Sequence, residues 1–161
     1  MELLVKERLL FERRRVLDSD GREMGEINYH PYDHREFNAR WSMTIDGTSA
    51  QFTSGTVKPA KLLPISWARL EIEGRVVAEA MAPPKFAKVH VDIDALGRSL
   101  VMRSEPGWGV FKTNELLENG AKIGHADGGW KKCRISLPDD MPLWFAGWMY
   151  CLHSGFARRL R

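Results

Sequence analysis

The sequence predicts a mainly β protein, an antiparallel sheet of hairpins that closes around one apolar helix at the C-terminal end. Three observations carry this prediction. Short runs of β-forming residues recur through residues 1–137, and Asp-Gly and Asn-Gly pairs recur between them, supplying the positive φ angles that tight hairpins need. Pro59, Pro64, Pro83, Pro84 and Pro106 fall between the runs, where an antiparallel sheet tolerates a residue that cannot donate to the ladder. After Asp139-Asp140 the chain becomes almost wholly apolar, from Met141 to Leu152. A helix that is apolar on every side has to be surrounded on every side, by protein or by lipid.

Taken in order, Glu12–Leu17 and Glu23–Tyr29 form a hairpin about Asp18-Ser19-Asp20-Gly21. Arg40–Ile45 and Ala50–Thr53 form a second about Asp46-Gly47, and Trp67–Ile72 with Val76–Ala80 a third about Glu73-Gly74. Val89–Ile93 and Ser99–Met102 flank a turn at Asp94-Ala95-Leu96-Gly97, while Phe111–Leu117 and Ala121–His125 flank Glu118-Asn119-Gly120. Arg69-Leu70-Glu71-Ile72 and His90-Val91-Asp92-Ile93 alternate polar and apolar residues, the period of a strand with one wet and one dry face. None of these runs leaves room for a long helix. Turn spacing predicts roughly eleven to thirteen strands. Asp20-Gly21-Arg22-Glu23-Met24-Gly25-Glu26-Ile27 echoes Asn119-Gly120-Ala121-Lys122-Ile123-Gly124-His125-Ala126, read as convergence of two similar hairpins, with an internal duplication as the alternative. His30–Asn38 is the least patterned stretch and reads as a surface loop.

The closing segment is predicted as a helix over about residues 139–159. Asp139 or Asp140 suits the N-cap and Pro142 the first turn. Arg158, Arg159 and Arg161 suit the negative end of the helix dipole. Residues 141–157 would make a helix about 25 Å long, short for a hydrocarbon core of roughly 30 Å. His153 and Ser154 shorten its apolar part further. The dry faces of the strands need a partner and no other long helix can cover them, so the enclosed helix is the favoured arrangement. A tail anchor formed by residues 141–157 is the alternative. Gly147 and Gly155 mark places where the helix backbone comes close to something.

At 161 residues, with 43% hydrophobic content, the chain makes one domain over 1–161 with a core large enough to need no staples. A net charge of +3 and a pI near 9.0 do not call for nucleic acid. Cys133 and Cys151 form no CxxC pair and read as packed thiols in a reducing, cytoplasmic setting. The first eight residues carry acids within any apolar stretch and are no secretory signal.

The chain resembles the tubby-like fold of the LURP-one-related and phospholipid-scramblase superfamily, and looks most like its small bacterial members. The residues that carry the resemblance are the opening hairpin Val16–Ile27, the late hairpin Asn119–Gly124, and the passage Arg134-Ile135-Ser136-Leu137-Pro138-Asp139-Asp140 into the apolar helix. The likeness runs the length of the chain in pattern rather than identity. It implies a closed barrel of about twelve strands threaded by the hydrophobic helix. Tubby proteins bind phosphoinositide head groups through surface cations, which makes an anionic membrane surface one expected partner and another protein the other. Scramblases add a calcium-binding segment and a lipid-modified cysteine cluster; this sequence has neither, so scrambling is not implied.

The candidate anion- or lipid-binding residues are Lys58, Lys61, Lys85 and Lys88, with Arg13-Arg14-Arg15 and Lys131-Lys132 as further surface cations. No catalytic residue, metal site or cofactor is expected. His30, Asp33 and His34 lie in a proline-containing loop where no helical face aligns two imidazoles, and read as loop residues rather than zinc ligands. His153, the one ionisable group in the apolar helix, has to be hydrogen-bonded and neutral if enclosed. No serine sits in a G-x-S-x-G elbow, and Cys133 has no base partner. Arg40-Trp41 reads as a cross-strand pair rather than a base-stacking platform. The expected function is non-enzymatic binding on the barrel exterior, in the cytoplasm or peripherally at a membrane.

Overall fold

The computed structural model describes residues 1–7, 13–30, 39–57, 65–82, 90–104, 112–129 and 131–158. The strands are β1 (Glu2–Glu7), β2 (Arg13–Leu17), β3 (Glu23–His30), β4 (Ala39–Ile45), β5 (Thr48–Val57), β6 (Ile65–Ile72), β7 (Arg75–Ala82), β8 (His90–Ala95), β9 (Arg98–Ser104), β10 (Lys112–Glu118), β11 (Ala121–Gly128) and β12 (Lys132–Ser136). Helix α1 (Leu143–Arg158) follows. Every strand pairs antiparallel with its neighbours in sequence, and β1 also pairs with β12, Val5 opposite Cys133. The sheet is therefore a closed twelve-stranded barrel, and closure removes the exposed strand edges on which aggregation begins.

Side-chain alternation assigns the two faces. In β8, Val91, Ile93 and Ala95 are buried, whereas Asp92 and Asp94 are exposed. Inward residues from all round the sheet, among them Val16, Ile27, Met43, Phe52, Leu70, Ile93, Met102, Leu116 and Ile135, form one core with Phe145–Leu152 of the helix. Residues 145–154 of α1 are all buried. Phe52 on β5 packs against Trp148, with ring centroids 5.3 Å apart, and Trp41 on β4 meets Tyr150 edge-on. Gly147 is the closest approach of the helix to the wall: a Cβ there would sit 2.6 Å from Ile45 Cδ1 and 2.7 Å from Met43 Sδ. Small inward residues on β6–β8, namely Ala68, Ala78, Ala80, Ala82 and Ala95, offset the volume of the aromatic side chains that the helix brings in.

The echo between the two glycine hairpins has a physical basis. Irregularities in register fall at Val16/Leu17 against β3 and at Leu116/Leu117 against β11, leaving Met24 and Ile123 as the extra residues. Gly25 and Gly124 each follow that bulge. A Cβ on either would run into a carbonyl oxygen of the next strand, that of Thr44 or of Ser136. Both hairpins use glycine to let a bulged strand lie close to its neighbour.

Two local expectations are corrected. Helix α1 starts at Leu143, not near Asp139, and has no acid in its first turn. The two carboxylates serve elsewhere: Asp139 meets the Met1 amine at 2.5 Å, and Asp140 meets Arg98 at 3.1 Å. The hairpin of β8 and β9 turns at Leu96-Gly97, with Leu96 at φ 59°. Asp94 and Ala95 thus belong to β8 rather than to the turn, and Asp94 faces out.

If the enclosed helix holds the barrel open, Trp148→Ala, which empties a fully buried site, should lower the unfolding free energy by about 3–5 kcal/mol. Urea denaturation checks this; a loss under about 1 kcal/mol would mean that the helix is not packed in the core.

Candidate functional site

Several polar groups inside the barrel are hydrogen-bonded within it. His153 is buried, its Nε2–H donating to the Gly128 carbonyl (2.9 Å) and its Nδ1 accepting from the Asn114 amide (2.5 Å). Asn114 in turn accepts from the Ser104 hydroxyl at 2.5 Å. Burial lowers the imidazole's affinity for a proton more than the Gly128 carbonyl and Asp127 raise it, so both ring nitrogens are used by a neutral ring. Cys133 and Cys151 are free, buried thiols. Burial pushes the Cys133 thiol up to about 12 and the Cys151 thiol well above its ordinary value, which suppresses the nucleophilic thiolate form.

The cations singled out in the sequence divide. Strand alternation separates Arg13-Arg14-Arg15: Arg13 and Arg15 are on the outside, whereas Arg14 is buried, donating from Nε to the Tyr150 hydroxyl at 3.0 Å and lying 3.4 Å from Glu7. It is a core residue and no part of a surface patch. Lys131 and Lys132 are exposed. Lys58, Lys61, Lys85 and Lys88 lie outside the described residues, as do Asp33 and His34; His30 Nε2 sits 2.8 Å from the Ser42 hydroxyl. Among the described residues no group of three or more His, Cys, Asp or Glu could hold a metal ion. Trp41 is buried, with the Arg14 guanidinium 5.9 Å from its ring, and is not available to stack on a base. Among the described residues no helix is long and apolar enough to cross a membrane.

A concavity of about 850 Å³ lies instead on the outer face of β6–β9. The register lines its outward side chains into two cross-strand rows. One runs Trp67, Met81, Asp92, Val101, and the other Arg69, Glu79, Asp94, Ser99. The first row continues through Val101 to Leu117 on β10, which is only 8% exposed although its side chain lies on the outer face. The exposed large hydrophobic residues among those described, Val76, Met81 and Leu96, all belong to β7 and the β8–β9 turn. Of these, Met81 lines the concavity, and apolar side chains on a polar-rimmed concave face are the ordinary mark of an interaction site.

Charge borders this face. Arg69 Nε donates to Glu79 at 2.8 Å, and its guanidinium lies 5.7 Å from the Trp67 ring. On the far side, Glu115 is held by Arg103 (2.9 Å) and Lys122 (3.0 Å). Their hydrogen bonds bring its carboxyl down to about 2, so it stays ionised through the physiological range. Arg98 grips both oxygens of Glu118 at 2.7 Å and reaches Asp140, tying the β8–β9 turn to β10 and to the approach to the helix. Comparison with protein-family models, with curated proteins and with solved structures finds no match to this chain.

Sequence reasoning passed over the groove because its residues are scattered over four strands. The available signal was the period-2 alternation of His90-Val91-Asp92-Ile93-Asp94-Ala95, which sets both aspartates on one face once Asp94 is placed in the strand.

Because the folded-state proton affinity of His153 is lowered, the unfolded chain binds a proton first as pH falls. Stability should therefore decline as pH drops below about 6.5, by at most about 1.4 kcal/mol per pH unit, and level off below the folded-state value. The acids with lowered values, Glu115 and Glu118, act only further down, below about 4.5. Denaturant midpoints between pH 7.5 and 5 test this, and a His153→Gln chain should lose the slope; a flat profile in the parent chain refutes the neutral, buried imidazole.

Proposed function

We propose that this chain is a non-enzymatic, tubby-like binding protein that works through the outer face of its barrel, with the groove over β6–β9 as the ligand-binding surface. The groove itself is the observation that carries the reading: about 850 Å³ of concave surface floored by Trp67, Met81 and Val101 and bordered by charge. The element order, twelve antiparallel strands followed by an enclosed apolar helix, supports the resemblance to the tubby-like superfamily. The filled interior supports an exterior site, since helix and strand side chains leave the core to packing. The protonated thiols and the hydrogen-bonded His153 support binding over catalysis, and two free buried cysteines fit a reducing, cytoplasmic setting.

A second reading, attachment to an anionic membrane surface through Lys58, Lys61, Lys85 and Lys88, has its own support. The strand ends Val57 and Ile65 pair, and Ala82 pairs with Ser66. The two connections that carry these lysines therefore leave from one end of the barrel, and several cations near an anionic surface contribute about 1 kcal/mol each.

Two measurements separate these. Titrating the isotope-labelled protein with a panel of small aromatic and aliphatic fragments should shift the backbone amides of Trp67, Met81, Asp92 and Val101 together; shifts confined elsewhere, or none, would remove the groove as the site. Flotation with phosphatidylserine vesicles should, on the second reading, carry the protein at low salt and release it at high salt, and a protein that stays at the bottom at low salt excludes it.

A further inference from the structure

The groove combines two features that rarely serve the same ligand, an apolar row and uncompensated acids. Glu79 and Asp94 face each other directly across β7 and β8, an arrangement that costs stability on its own. Arg69 answers Glu79 and stacks against Trp67, so its charge is already used. Asp92 and Asp94 are exposed and make no side-chain ion pair among the described residues. Three carboxylates against one guanidinium leave the groove with a charge of −2 on a chain whose total is +3. One of these acids stands within the apolar row itself: Asp92 lies between Met81 and Val101 in register.

Resting on the reading of this groove as the binding surface, we infer that its occupant is a basic polypeptide segment of a partner protein, extended, with lysine or arginine at positions i and i+2. Asp92 and Asp94 are two residues apart on the same face of β8, a separation of about 6.7 Å. An extended segment repeats its side chains on one face at that same interval. The long stems of lysine and arginine are apolar and their heads are charged. Lying along β8, the stems cover Met81 and Val101, which flank Asp92, and the heads reach the two aspartates. One side-chain type thus accounts for both the apolar floor and the acids. An anionic head group would meet repulsion here, and an apolar segment would leave the carboxylates unanswered. The same charges steer a basic partner inward and make its association salt-dependent.

The test uses the full chain and a capped synthetic pentapeptide with arginine at its second and fourth positions and threonine elsewhere. Two controls carry glutamate or norleucine at those positions. The arginine peptide should shift the groove amides saturably, more weakly as salt rises. The paired change Asp92→Asn and Asp94→Asn, both on exposed side chains, should weaken binding about fivefold or more while leaving the melting temperature within a few degrees. Equal binding of the arginine peptide to this variant, or binding of the glutamate peptide, overturns the inference. Norleucine binding as tightly as arginine overturns the charge assignment and leaves the groove as a site. Self-association of the parent chain that the paired change abolishes would make the occupant a second copy and overturn a basic partner. If no peptide shifts the groove, the inference fails, while the fragment titration decides separately whether the groove binds anything.

Discussion

Enclosure of a helix with no wet face constrains everything else in this molecule. From Phe145 to Ser154 every position of α1 is buried, so the sheet has to meet it from all sides, and a sheet that does so closes on itself. The wall then adjusts to the helix. Gly147 lets the helix backbone come against Met43 and Ile45, while alanines line the inner face of β6–β8. Several polar groups carried inside are answered there, His153 by Asn114 and Gly128, and Arg14 by Tyr150 and Glu7, which offsets the cost of burying them, whereas the Trp148 indole N–H is buried without a hydrogen-bond acceptor among the described residues. The segment leading into the helix is held from outside by the Arg98–Asp140 contact.

A filled barrel leaves its outer face as the surface that other molecules can reach. Residues that face in are held by packing, and residues that face out are free to vary in chemistry, so each strand contributes alternately to stability and to surface. On β6–β9 the outward set is unusual for a solvated wall. Trp67, Met81 and Val101 stand in one register with Asp92, and Glu79 opposes Asp94. Across the neighbouring strands the charges are matched instead: Arg103 and Lys122 flank Glu115, and Arg98 holds Glu118. The contrast between matched charges on β9–β11 and the unmatched aspartates of β8 is what singles out the groove on a chain of modest net charge.

Much of this was legible in the chain. Asp-Gly and Asn-Gly pairs located hairpins because so few residues accept positive φ there, and the observed Asp46 and Asn119 angles of 49° agree with that. The apolar run from Met141 announced an enclosed helix because its hydrophobicity has no polar side. Its start was misjudged, since an aspartate before a helix looks the same whether it caps the first turn or pairs with a distant amine or guanidinium. Arg14 was misjudged for a related reason: three arginines in a row look like a surface patch until the strand's alternation is known to set the middle one inward.

The local conformation and the need for closure were thus determined by the sequence alone, because turn chemistry and hydrophobic periodicity act between near neighbours. Only the tertiary structure decided which outward residues stand together. Trp67, Met81, Asp92 and Val101 lie far apart along the chain and become one row through the register of three strand pairs. Moving that register by a single residue would turn the same side chains to the opposite face, so the row exists through the pairing rather than through any one segment.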